Sequence, residues 1–201
     1  IQRFIFFQLV VNVTALLLVL GGSMIGTQLP LTITQMLWVN LIMDTFAAMA
    51  LASLPPESEV MKDKPRKQTD FIINRNIAWA IGIVGLLFFG LMFGLLYYFE
   101  RVAGVSEEEL TVFFTIFVML QWWNLFNAKS LGSRRSAFHK FLSDRGLLFV
   151  LFIILAGQWL IVELGGKMFR TVPLDIETWL WIILGTSPVM IVGEIVRRIR
   201  R

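Results

Sequence analysis

Apolar residues run along this chain in long blocks, without the strict alternation of a surface strand. The blocks lie near 4–25, 33–54, 77–99, 110–126, 147–162 and 179–196. About 20 apolar residues in a helix cross the roughly 30 Å of hydrocarbon in a bilayer, and each block is long enough or nearly so. The pattern therefore predicts an all-α, polytopic membrane protein, a six-transmembrane-helix bundle. Polar connections separate the blocks, the longest lying between 55 and 76 and between 127 and 146. No Ser-rich linker or internal repeat interrupts the pattern.

Composition agrees. Of 201 residues, 57% are apolar and only 16% charged, where a soluble domain carries about 25% charged residues. Six crossings use nearly all of that length, which excludes a large catalytic head within this chain. With no cysteine and a single histidine, His139, a disulfide frame, a thiolate metal site and a histidine cluster are excluded as well.

The net charge of +4 raises the question of nucleic acid until the charges are placed. Fifteen of the 18 basic residues fall on one side of the predicted spans: Arg3, a set from Lys62 to Arg75, a set from Lys129 to Arg145, and Arg197, Arg198, Arg200 and Arg201. Arg101, Lys167 and Arg170 fall on the other. The positive-inside rule makes the long connections and both ends cytoplasmic, and six crossings put both ends on one face. The basic excess is thus a topology signal, so the expected partner is a lipid bilayer, with no nucleic acid. The chain opens at Ile1 inside an apolar run and without an initiator Met, as a fragment of a longer polypeptide would. It ends a few residues past the last block, from which no long regulatory tail is expected.

Polar residues within the blocks stand out. Asp44 lies near the middle of the second block, where an acid costs about 2.5–3.5 kcal/mol on insertion scales, and no Lys or Arg occurs at that depth. Asn40 is four residues earlier, so on an α-helix it shares a face with Asp44. Asn12 lies at mid-depth in the first block and reads equally as a ligand or as interhelical glue. Oxygen donors at one depth on two helices suit a hard cation. Ca²⁺ takes six to eight oxygens, however, and Asn12, Asn40 and a bidentate Asp44 offer four at most, so further donors are required. On the fourth block, Gln121, Asn124 and Asn127 recur at spacing three, either extending a polar pathway or stitching helices. Gln158 reads as packing glue, Glu163 and Glu194 as residues that snorkel, with Glu194 paired to Arg198. Gly82, Gly85, Gly90 and Gly94 read as close-packing positions.

The run Gln35-Met-Leu-Trp-Val-Asn-Leu-Ile-Met-Asp-Thr-Phe-Ala-Ala, with Ala50-Leu-Ala and Pro55-Pro-Glu after it, resembles the sixth transmembrane helix of P-type calcium ATPases, most closely the plasma-membrane type. Gln8-Leu-Val-Val-Asn-Val resembles the end of the fifth helix. The likeness continues weakly through the remaining four blocks, making 1–201 the family's C-terminal membrane domain, helices five to ten. It implies that Asn12, Asn40 and Asp44 are metal ligands for Ca²⁺ as transported ion. Ala15 and Met43 stand where the sarcoplasmic-reticulum type has a Glu and a Thr, and Gln121 about where it has a Glu. These departures imply one calcium per cycle, at a site completed by a helix-four Glu outside this chain.

The same resemblance implies that ATP and Mg²⁺ are used only by the full-length parent. The Asp-Lys-Thr-Gly-Thr phosphorylation motif, the nucleotide-binding domain and the Thr-Gly-Glu loop are absent here, so the chain has no catalytic or cofactor-binding residues of its own. Its implied partners are the N-terminal helices and cytoplasmic ATPase domains of the same polypeptide, on which the loop 55–76 would dock. That loop reads equally as a solvated basic turn. The implied location is the plasma membrane, and protonation of Asp44 on release implies proton counter-transport. Open alternatives are a stand-alone cation channel or secondary carrier, and a P-type pump for another cation such as Mn²⁺.

Overall fold

A computed structural model describes residues 1–27, 30–54, 71–131, 144–191 and 193. Every regular element among them is helical: α1 (Gln2–Met24), α2 (Ile33–Leu37), a π-helical turn (Trp38–Met43), α3 (Asp44–Ala52), α4 (Arg75–Tyr98) with a second π-helical turn (Phe99–Ala103), α5 (Glu107–Lys129), α6 (Arg145–Leu164), the single turn α7 (Gly166–Phe169) and α8 (Ile176–Thr186). Five helical spans are long and apolar enough to cross a membrane, the second running continuously from Ile33 to Ala52 through its π-helical turn. The sixth, Ile176–Ile191, is shorter among the described residues. Part of the 179–196 block lies beyond them, as do residues 55–70 of the long basic loop and the Glu194–Arg198 pair.

The helices begin outside their apolar blocks because the capping residues are polar. Thr32 and Gln35 form a capping box at α2, and Ser106 and Glu109 form another at α5, each satisfying otherwise orphaned N–H groups. Asn74 accepts a bond from Ile77 N–H at the start of α4. Three Glu residues in the first turn of α5 and Lys129 in its last turn complement the helix dipole. Two connections use left-handed glycines: Gly26 follows α1 with φ +75°, and Gly104 follows the second π-helical turn with φ +87°.

Contacts between connections sort the loops into two ends. Gln2 donates to Ile72 O, Arg3 to Leu131 O, and Lys129 pairs with Asp144 at 2.5 Å. At the other end, Gln35 donates to Phe169 O and Arg170 to Pro30 O. Arg3, Arg75, Lys129 and Arg145 therefore cluster at one end, with Arg101, Lys167 and Arg170 at the other.

Apolar side chains cover the outside as well as the core. Leu16, Leu86, Leu91, Phe149, Phe152 and Leu180 are exposed, while Phe7, Phe88, Phe113, Phe114 and Phe117 are buried. A soluble fold would not present such a continuous apolar surface, whereas lipid-facing helices must. In lipid, apolar burial no longer drives association, so close packing and hydrogen bonds have to hold the helices. Gly85 lets α4 approach α1: a Cβ there would lie 3.1 Å from Val13 Cγ1. Gly82, Gly90 and Gly94 behave differently from the close-packing expectation, since nothing described lies within 4 Å of a Cβ on any of them. Their spacing alone cannot reveal which helix face meets a neighbour. The most enclosed span is α5, which packs against α1, α3, α4, α6 and α8.

Candidate functional site

Among the described residues, the second span is the only one interrupted in its middle by a π-helical turn, and Asp44 is the first residue after it. Such turns hydrogen-bond i to i+5 and recur at functional sites. An added residue in the turn removes the stacking of residues four apart that a continuous α-helix would give. Accordingly Asp44 is buried, with 3% of its surface exposed, while Asn40 is exposed. The expected common face is not formed, and the physical cause is the altered hydrogen-bond period between the two residues.

Asp44 is the one buried acid among the described residues. Neither carboxylate oxygen has a hydrogen-bond partner. A buried polar group without a partner costs about 1–3 kcal/mol, and more if charged, which makes Asp44 the candidate centre of this site. No cluster of three or more acidic, His or Cys side chains occurs among the described residues. Among the described residues, any cation held here would depend on amide and backbone oxygens in addition to Asp44.

Three of the amides divide by environment. Gln121 and Asn124 on α5 are completely buried, and neither side chain has a partner on its oxygen or nitrogen. Asn127, three residues on, donates to Val189 O at 3.2 Å and lies against Gly193. Between them, Trp122 Nε1 donates to Leu151 O and Trp123 Nε1 to Thr186 Oγ1. Thus Asn127, Trp122 and Trp123 stitch α5 to its neighbours, while Gln121 and Asn124 are left with unused oxygens. Equal spacing concealed this division, because it depends on which neighbour each side chain meets.

Asn12 is half-buried on α1. Its helix packs on the π-helical turn and on α3, and α5 packs on both α1 and α3. The elements bearing Asn12, Asp44, Gln121 and Asn124 are therefore mutual neighbours. Gln158, read from sequence as glue, accepts from Trp38 Nε1 at 3.1 Å and donates to Thr115 Oγ1 at 3.4 Å.

Residues 28–199 match the family model described as "Cation transporting ATPase, C-terminus". The chain belongs to this family. Among similar proteins, plasma membrane calcium-transporting ATPase 2 of Oreochromis mossambicus is 33% identical over 99% of this chain and 19% of its own length. Plasma membrane calcium-transporting ATPase 3 of Homo sapiens is 33% identical, and the type 1 protein of Gallus gallus is 32% identical, each over 99% of this chain and 17% of its own length. The chain spans less than a fifth of the length of these curated relatives. Within this cation-transporting ATPase family, then, the described helices correspond to a C-terminal membrane portion, which accords with the many large apolar side chains on their outer surface.

Proposed function

We propose that this chain is the C-terminal half of the membrane domain of an ATP-driven calcium pump in the plasma membrane, and that Asp44, Asn12 and Asn40 supply oxygens to the translocated Ca²⁺. The observation that carries this reading is the buried Asp44 carboxylate, orphaned on both oxygens at the end of a π-helical turn. Gln121 and Asn124 join the ligand set. Their two carbonyl oxygens bring the donors from four to six, the lower limit for Ca²⁺. The relatives support calcium as the ion, since their names specify it.

ATP and Mg²⁺ act in the cytoplasmic domains of the full-length parent, and the chain alone is not catalytic. Phosphorylation there drives helix movements that open the shell; Asp44 then takes up a proton as Ca²⁺ leaves, giving proton counter-transport. The end bearing Arg3, Arg75, Lys129 and Arg145 faces the cytoplasm, as does the basic loop 55–76. In this arrangement Asn40, exposed here, meets the N-terminal helices of the same polypeptide, because an exposed amide at this depth is unfavourable in lipid.

The test is Asp44→Asn in the full-length parent. Calcium-dependent phosphorylation and vesicular calcium uptake are expected to disappear, and retention of both would overturn the assignment. Uptake with Mn²⁺ competing against Ca²⁺ distinguishes a calcium pump from a manganese pump.

A further inference from the structure

Trp38 is the first residue of the π-helical turn, and α6 holds it in two ways. Its indole N–H donates to Gln158 Oε1 at 3.1 Å, and its ring lies so close to Gly157 that a Cβ there would overlap it. An indole nitrogen is only a donor, so the bond fixes the Gln158 amide with its oxygen toward Trp38. The amide nitrogen then donates to Thr115 Oγ1 at 3.4 Å, and the Thr115 hydroxyl passes its own hydrogen to Thr111 O at 2.8 Å. Gln158 and Thr115 are completely buried, and Trp38 nearly so. This chain of bonds ties the second, fifth and fourth spans together at the turn that precedes Asp44.

We infer that Gln158 and Gly157 are positioning residues for the cation site: by seating Trp38 they hold the π-helical turn and so set the register of Asn40 relative to Asp44. The inference rests on the reading of Asp44 as a cation ligand. The second span is anchored on both sides of the turn. Gln35 Nε2 donates to Phe169 O at 2.7 Å and Thr34 Oγ1 to Met168 O at 2.7 Å, while Asp44, Ala47, Ala50 and Leu51 are buried on the far side. Within the turn itself Val39 and Met43 are buried, but Asn40, Leu41 and Ile42 between them are exposed in succession, so the middle of the turn relies on its anchored ends. If Trp38 were released, the turn would relax toward α-helical hydrogen bonding. One residue of α-helix corresponds to about 100° of rotation and 1.5 Å of rise, enough to move the Asn40 oxygen away from the position, relative to the Asp44 carboxylate, that the seated turn gives it.

The experiment uses the full-length pump and measures two quantities: the Ca²⁺ concentration for half-maximal phosphorylation by ATP, and the maximal phosphorylation level per folded protein. Gln158→Met keeps the length of the side chain and removes both bonds. It is expected to raise the half-maximal concentration about tenfold, the ~1.4 kcal/mol equivalent of one buried hydrogen bond, with the maximal level unchanged. Trp38→Phe is expected to give the same rise, and the double variant no more than either single one. Trp123→Phe removes a comparable indole bond, to Thr186 between α5 and α8, and is expected to leave the half-maximal concentration in place. An unchanged half-maximal concentration in Gln158→Met and Trp38→Phe would sink the inference, as would an equal rise in Trp123→Phe. Asp44→Asn, run alongside, isolates the underlying reading: if that variant still responds to Ca²⁺, the ligand assignment itself has failed.

Discussion

Asp44 should destabilise the ion-free membrane domain that contains it. A carboxyl group near the centre of a span costs about 2.5–3.5 kcal/mol, and here no hydrogen bond offsets it, because both oxygens are buried without partners. Asp44→Asn preserves the shape and removes the acid, which should restore on the order of 2 kcal/mol of that cost. At about 2–4 °C per kcal/mol for a domain of this size, the ion-free melting temperature should rise by roughly 4–8 °C. Saturating ligand works in the other direction. At 100 times its dissociation constant, an ion bound only to the folded state adds about 2.7 kcal/mol, and the variant should lose that increment. The assay is thermal unfolding of the membrane domain in the full-length protein, held in lipid nanodiscs, with and without Ca²⁺. The native protein should melt low without Ca²⁺ and higher with it, while the variant should melt high in both. An ion-free variant that melts no higher than the native protein, or one still stabilised by Ca²⁺, would refute the argument that an orphaned acid is kept here for a ligand.

The α5 amides should respond in opposite senses. Gln121→Leu removes a buried amide without partners and should leave thermal stability equal or higher while weakening Ca²⁺ dependence; Asn127→Leu orphans Val189 O and should lower stability by about 1–3 kcal/mol with little change in Ca²⁺ dependence, both read from unfolding and phosphorylation titrations. Asp175 caps α8 through bonds from Thr178, and those bonds hold its carboxyl below the usual range. Because the folded value is depressed, the cap's contribution is complete above the unfolded value of about 3.9 and is lost as pH falls through the lower folded value. Hydrogen exchange at the Thr178 amide, corrected for intrinsic rate, should lose protection below about pH 4, and Asp175→Asn should abolish that pH dependence while keeping the cap.

The spans and their alternation were legible from order and composition alone. Bilayer thickness sets the length of an apolar block, and insertion energetics sort basic residues by side, so neither inference needs a neighbour. Capping pairs such as Thr32 with Gln35 and Ser106 with Glu109 are equally local. Asp44 was conspicuous for the same reason, since the cost of an acid at mid-span depends on depth and hardly on packing.

What each polar side chain does was decided by tertiary structure. Gln121, Asn124 and Asn127 occupy equivalent places in a pattern, yet one bonds to the last span and two do not, because only Asn127 reaches Val189. Gly85 packs on Val13 while Gly82 faces open space, although both lie on α4 three residues apart. The π-helical turn that carries Asn40 and ends before Asp44 begins at Trp38, whose bond to Gln158 spans 120 positions of sequence. Composition and local periodicity carry no term for a contact of that range. The sequence by itself therefore determined that an acid lies at the middle of an apolar span, and only the packing of the described helices determined that both of its oxygens would be buried without a partner.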